Sequence, residues 1–208
     1  MEFQPLKYIY KASAAPGAYT LLLLHGTGGN ETDLIPLAQN FGSNYNILSV
    51  RGNVTENGMP RFFKRLGMGI FDEKDLAFRT EELAAFVKGI AEREGFDITK
   101  VVALGYSNGA NIAGALLIKY PTLLAGAILY RPMQPYKLIE ATGTAAKIPV
   151  FFSSGKLDPT VNPADTEAYV GALERIGYSV AFHNFNAGHN LINDDVELAA
   201  QWLQINFR

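Results

Sequence analysis

Among the side chains able to form a covalent intermediate, Ser107 has the most telling neighbours. Residues 105–109 read Gly105-Tyr106-Ser107-Asn108-Gly109, a G-x-S-x-G pattern. The apolar run Val101–Leu104 precedes it and a helix-forming stretch follows from Ala110. That strand–turn–helix context is what a nucleophile elbow requires. A serine at such a turn is exposed at the carboxyl end of a strand. It also faces the amino end of a helix, whose dipole favours developing negative charge. Flanking glycines prevent clashes between closely approaching backbones. A tight strand-to-helix turn with Ser107 as a helix cap is the plainer alternative.

A serine hydroxyl needs a general base at neutral pH, and the chain has three histidines, His25, His183 and His189. His189 follows Gly188, beyond the strand-like run Val180–Phe185 and before the last helical stretch, so a loop at a late strand end carries it. His183 lies inside that run and reads as a packed or solvated sheet residue. His25 opens a glycine-rich turn and reads as its support. The base in turn needs a carboxylate to hold its tautomer. Asp158 follows the run Ile148–Phe152 through Ser153-Ser154-Gly155-Lys156-Leu157. Ser107, Asp158 and His189 stand in the chain order Ser, Asp, His of the α/β-hydrolase arrangement. Asp194 and Asp195 read as helix-start residues, and Asp72 and Asp75 precede the serine. Acyl transfer also needs oxyanion donors. The backbone N–H of Asn108 is one candidate. The other is the N–H of Thr27, in Leu24-His25-Gly26-Thr27-Gly28-Gly29-Asn30. A phosphate site at this glycine-rich turn is the alternative, but neither G-x-x-x-x-G-K-[ST] nor G-x-G-x-x-G is present.

These positions need a scaffold that brings them together. Short apolar runs predict strands at Lys7–Lys11, Tyr19–Leu24, Ile47–Val50, Val101–Leu104, Ala125–Tyr130, Ile148–Phe152 and Val180–Phe185. Between them, apolar residues at three- and four-residue spacing predict a helix over Asp75–Arg93. Asn111–Tyr120 reads as a buried helix, and Val196–Ile205 as the closing one. Pro163–Ile176 has Asn162 as N-cap and Gly177 as its stop. Strands alternating with helices predict a mostly parallel central sheet with helices on both faces. The stretch Gly52–Phe71 has no clear period, and loops of that length are usually functional or hold further structure.

At 208 residues, with 48% hydrophobic and 18% charged side chains, the chain is expected to fold as one domain over 1–208. A formal net charge of −2 offers no basic excess for nucleic acid. Cysteine is absent, which excludes disulfides, thiolate metal sites and a cysteine nucleophile. No apolar run is long enough to span a bilayer, and Met1-Glu2-Phe3-Gln4-Pro5 lacks a basic leader. A cytoplasmic protein without a membrane partner is the expectation; a homodimer is left open.

Together these segments resemble the phospholipase/carboxylesterase family of α/β-hydrolases, which includes acyl-protein thioesterases and small bacterial carboxylesterases. The resemblance covers most of the chain. It rests on Leu24-His25-Gly26, Gly105-Tyr106-Ser107-Asn108-Gly109, Ser154-Gly155-Lys156-Leu157-Asp158-Pro159 and Gly188-His189. It implies an α/β-hydrolase fold with no separate cap domain. It also implies a serine esterase that needs no cofactor or metal and takes a small-molecule ester. Acyl-protein thioesterases usually carry Gln where Asn108 stands and His near Lys156, so these departures point away from depalmitoylation. Arg51-Gly52-Asn53, Glu56–Phe63 and Arg79-Thr80-Glu81-Glu82-Leu83 look more like a bacterial carboxylesterase subgroup linked to hydroquinone and quinone resistance. A thioesterase or lactone hydrolase on the same triad is one alternative. A non-catalytic binder of quinone-like molecules is the other.

For substrate contact, Gly52–Phe71 offers Met59, Phe62, Phe63, Leu66, Met68, Ile70 and Phe71 as a wall or partial cover for an acyl or aromatic group. Arg61, Lys64 and Arg65 read first as solvated surface charges, with an anionic substrate as the alternative. Arg131–Tyr136, including Met133, follows another strand and is expected to complete the pocket. Tyr106 is expected to pack behind the elbow.

Overall fold

The computed structural model of the protein describes residues 2–67, 69–139 and 145–207. Its strands in chain order are β1 (Tyr8–Lys11), β2 (Thr20–Leu24), β3 (Asn46–Val50), β4 (Val54–Glu56), β5 (Met59–Arg61), β6 (Arg65–Gly67), β7 (Ile70–Phe71), β8 (Val101–Tyr106), β9 (Gly126–Tyr130), β10 (Pro149–Gly155) and β11 (Ser179–Phe185). Seven of them form the main sheet in the order β1-β3-β2-β8-β9-β10-β11. β1 runs antiparallel to β3, and every other neighbouring pair is parallel. The unbroken apolar runs follow from this placement. Leu21–Leu24 are wholly buried because β2 has neighbours on both edges and packed side chains on both faces.

The helices are α1 (Ile35–Ala38), α2 (Glu73–Glu94), α3 (Asn108–Lys119), α4 (Pro163–Ile176) and α5 (Asn193–Asn206). One core holds apolar residues of α2, α3 and α4, such as Leu83, Ile112 and Tyr169, against one sheet face. The other holds α1 and α5, through Ala38, Ala199 and Trp202, against the opposite face. The fold is that of an α/β-hydrolase. Local chemistry sets the helix ends. The Asp72 side chain accepts from the Asp75 amide at 3.1 Å to start α2, and Asn162 accepts from Ala164 at 2.9 Å to start α4. Gly177, at φ 108°, ends α4 in a conformation that L side chains disfavour.

Two regions hold structure to which the sequence assigned no element. α1 is a single turn, too short to show a period. The aperiodic stretch 52–71 holds two small antiparallel hairpins, β4–β5 and β6–β7. Their strands of two and three residues are too short for an alternating pattern to register. They extend from the carboxyl end of β3, on the edge where the candidate site lies. Among the described residues, no helix is long and apolar enough to cross a membrane.

Candidate active site

Ser107 is held at the turn between β8 and α3 with φ 52° and ψ −114°, a conformation that a non-glycine residue adopts only under constraint. The constraint is visible. The Ser107 amide donates to the Tyr130 carbonyl at 2.9 Å, and the Ser107 carbonyl accepts from the Asn111 amide at 2.9 Å. Glycine is required on both sides. A Cβ at Gly109 would overlap the Leu24 carbonyl, and one at Gly105 would come within 2.5 Å of Gly109.

The Ser107 hydroxyl lies 2.9 Å from His189 Nε2. On the far side of the ring, Nδ1 lies 2.6 Å from Asp158 Oδ2. With Nδ1 protonated against the carboxylate, Nε2 is left to accept from the serine. Thr160 fixes the carboxylate through Oδ1, with its amide at 2.9 Å and its hydroxyl at 2.6 Å. Burial alone would raise the Asp158 pKa. The Thr160 hydroxyl, His189 and the Thr160 amide outweigh burial and hold the carboxyl below its ordinary value. The structure therefore brings Ser107, His189 and Asp158 into one hydrogen-bonded line.

A cavity of about 440 Å³ opens over this line. Thr27 and Asn108 both line it, and among the described residues neither backbone amide has a protein acceptor. The two loops are tied together. The Phe62 amide donates to Asn108 Oδ1 at 2.8 Å, and Arg61 Nη1 donates to Thr27 Oγ1 at 2.7 Å. His25 is buried beneath the Thr27 loop. Its Nε2 accepts from the Gly52 amide at 3.0 Å and its Nδ1 donates to the Gly26 carbonyl at 2.7 Å. Desolvation pulls its pKa down, so it serves as a neutral brace. His183 stacks on Phe151 in the sheet, with ring centroids 4.8 Å apart. Tyr106 packs against the His189 ring at 5.4 Å and donates to the His189 carbonyl at 3.2 Å.

The residues expected to touch substrate divide. Phe71 and Met133 line the cavity and a second groove of about 680 Å³ beside it. Phe62 and Phe63 are buried in the core shared with α2 and α3, where they anchor the hairpins instead of forming a cavity wall. Met59 is 38% exposed and lies over Gly28, outside the lining of the cavity. Met68 lies outside the described residues. The solvated reading of Arg61 is corrected: its side chain is 4% exposed and it forms part of the cavity wall. Lys64 is exposed, and Arg65 pairs with Glu56 at 2.8 Å.

Sequence reasoning missed the clamp beneath the base. Arg131 Nε donates to the Gly188 carbonyl at 3.0 Å and its Nη2 to the Asn190 carbonyl at 3.0 Å, so one side chain grips the residues on both sides of His189. Asp195 pairs with both terminal nitrogens of that guanidinium, at 2.8 and 2.7 Å, and the Ser153 hydroxyl bonds to the pair. Both charged side chains are fully buried. Arg131 itself takes φ 53° at the end of β9. Nothing in the spacing of positions 131, 153 and 195 announces this, because three separate elements bring them together. Among the described residues, no cluster of three His, Asp or Glu side chains is placed to hold a metal.

Comparison with known proteins follows the same lines. Residues 9–207 match the family described as phospholipase/carboxylesterase. The chain is 46% identical over 197 residues to the protein named "Putative hydrolase MhqD" of Bacillus subtilis (strain 168), covering 95% of this chain and 97% of that one. The crystal structure of the Bacillus cereus carboxylesterase superposes with a TM-score of 0.94 at 46% identity, over 97% of this chain and 95% of that one. The structure of YahD with malic acid gives a TM-score of 0.92 at 32% identity, over 97% of this chain and 100% of that one. With its family pattern matched almost end to end, this chain belongs to the phospholipase/carboxylesterase family of α/β-hydrolases.

Proposed function

We propose that this protein is a serine carboxylesterase that cleaves small or medium-chain esters through an acyl-enzyme. The observation carrying this reading is the continuous line Ser107–His189–Asp158, at 2.9 and 2.6 Å, whose serine and histidine open into a cavity. Ser107 Oγ attacks the ester carbonyl while His189 Nε2 takes the hydroxyl proton. Asp158 holds Nδ1–H and stabilises the imidazolium. The carbonyl oxygen, now anionic, accepts from the amides of Thr27 and Asn108. As the C–O bond breaks, His189 returns its proton to the departing alcohol. A water then attacks the acyl-serine, giving its proton to His189, and the second collapse restores Ser107–OH and releases the carboxylic acid. Phe71 and Met133 offer apolar surface to the carbon chain of the ester, with room to continue into the adjoining groove.

An active-site-directed fluorophosphonate tests this directly. The expected result is one adduct, mapped by peptide mass to Ser107 and lost in both Ser107→Ala and His189→Gln. Labelling at another residue would overturn the assignment.

A further inference from the structure

Among the described residues, the Arg, Lys, Asp and Glu side chains in the wall of the catalytic cavity are all arginines: Arg61, Arg65 and Arg131. The nearby carboxylates lie behind that wall, each already engaged. Asp158 faces His189 and Thr160. Asp195 is paired with Arg131. Glu56 is shared by Arg61 at 3.2 Å and Arg65 at 2.8 Å. Arg131 is thus fully buried and paired, whereas Arg61 and Arg65, in the cavity wall, have one carboxylate between them.

Arg61 lines the cavity with only part of its donor set engaged. Its Nε donates to the Phe63 carbonyl at 3.2 Å and its Nη1 to Thr27 Oγ1 at 2.7 Å. Its Nη2 has no hydrogen-bond acceptor among the described residues and is not a fully occluded, unsatisfied atom. A guanidinium has five donors in a rigid fork suited to a carboxylate. Here the backbone and Thr27 preset the orientation of that fork, so a ligand need not immobilise a long flexible chain. Burial, and then the like charge of Arg65, act against the charged form of Arg61, with Glu56 opposing. A bound anion relieves that repulsion.

We propose that Arg61 forms an anion subsite, and that the favoured substrate is an ester whose acyl part ends in a carboxylate a few bonds from the scissile carbonyl. A monoester of a short dicarboxylic acid is the class that fits. The short spacer follows from Thr27, which offers its amide to the oxyanion while its hydroxyl bonds to Arg61. This subsite rests on the esterase reading given above.

The test compares monoethyl succinate with ethyl succinamate, its uncharged isostere, as the ratio of kcat/KM values for ethanol release. Wild type is expected to favour the anionic ester by about 10- to 100-fold, the range of one well-placed charge-assisted pair. Arg61→Gln should bring the ratio close to one, and Arg61→Lys should retain part of the preference. A wild-type ratio of one or less overturns the subsite and leaves the esterase reading standing. So does an Arg61→Gln enzyme that loses both esters equally, which would place Arg61 in support of the oxyanion loop. A catalysis-free arm separates the two claims. Calorimetry with Ser107→Ala should show monoethyl succinate binding at least 10-fold tighter than in Ser107→Ala/Arg61→Gln. If neither ester is hydrolysed but this difference appears, the esterase reading fails and the anion subsite stands. If no difference appears, the subsite fails.

Discussion

At the scale of single residues, the site depends on how each charged or hydroxyl group is held. Asp158 is the clearest case, because three donors on one carboxylate overcome the effect of burying it. Asp158→Asn should lower kcat by about 10⁴-fold, since the amide cannot hold the tautomer that leaves Nε2 free. Its pH signature has a definite sign. The folded pKa lies below the unfolded value of about 3.9, so the carboxylate stabilises the fold above that pH and loses this effect as pH falls through the folded value. Urea unfolding from pH 7 to 3 should therefore show Asp158→Asn less stable at neutral pH, with the gap to wild type closing in acid. Phe63 and Phe71 separate packing from recognition. Their rings meet edge to face at 5.0 Å, yet one is core and the other cavity wall. Phe63→Ala should cost about 3–5 kcal/mol of stability. Phe71→Ala should cost much less and alter the relative rates for esters of different acyl length.

At the scale of elements, the strands and long helices were legible in the sequence to within a few residues. A run as short as Leu21–Leu24 suits a strand buried on both faces, and the ends of α4 are carried by the Asn162 side chain, the fixed φ of Pro163 and the left-handed backbone of Gly177. The elbow was legible too, since Gly105 and Gly109 are needed by backbone contacts close to Ser107. What escaped were features made by distant elements meeting. The hairpins β4–β5 and β6–β7 gain order from Phe62 and Phe63 reaching the core, which their local pattern does not announce. Arg131 and Asp195 are ordinary charges until β9, β10 and α5 pack together. Removing one partner leaves the other charged and buried, so Arg131→Met should destabilise the protein by about 3–5 kcal/mol. Thermal melts should show a drop of roughly 6–20 °C for a chain of this size. Activity should fall below the level explained by unfolded protein, because the grip on Gly188 and Asn190 is lost with the guanidinium.

At the scale of the whole molecule, the carboxyl edge of the sheet collects the residues of the proposed chemistry. The turn after β2 brings Thr27, the turn after β8 brings Ser107 and Asn108, the loop after β10 brings Asp158, and the loop after β11 brings His189. Between β3 and α2, the two hairpins bring Arg61 and Phe71 to the same edge. The chain order Ser107, Asp158, His189 is the order in which β8, β10 and β11 deliver loops to one edge, which is why the sequence could offer these three as a candidate line before the fold was known. The burial of Arg61 could not, because it depends on the hairpin folding back over Thr27. The central claim is that Ser107 is the nucleophile. Its most direct measurement is kcat/KM for a short activated ester such as 4-nitrophenyl acetate, with wild type and Ser107→Ala at equal concentration of folded protein. A loss of at least about 10⁴-fold is expected in the variant. Equal rates for the two proteins would contradict it.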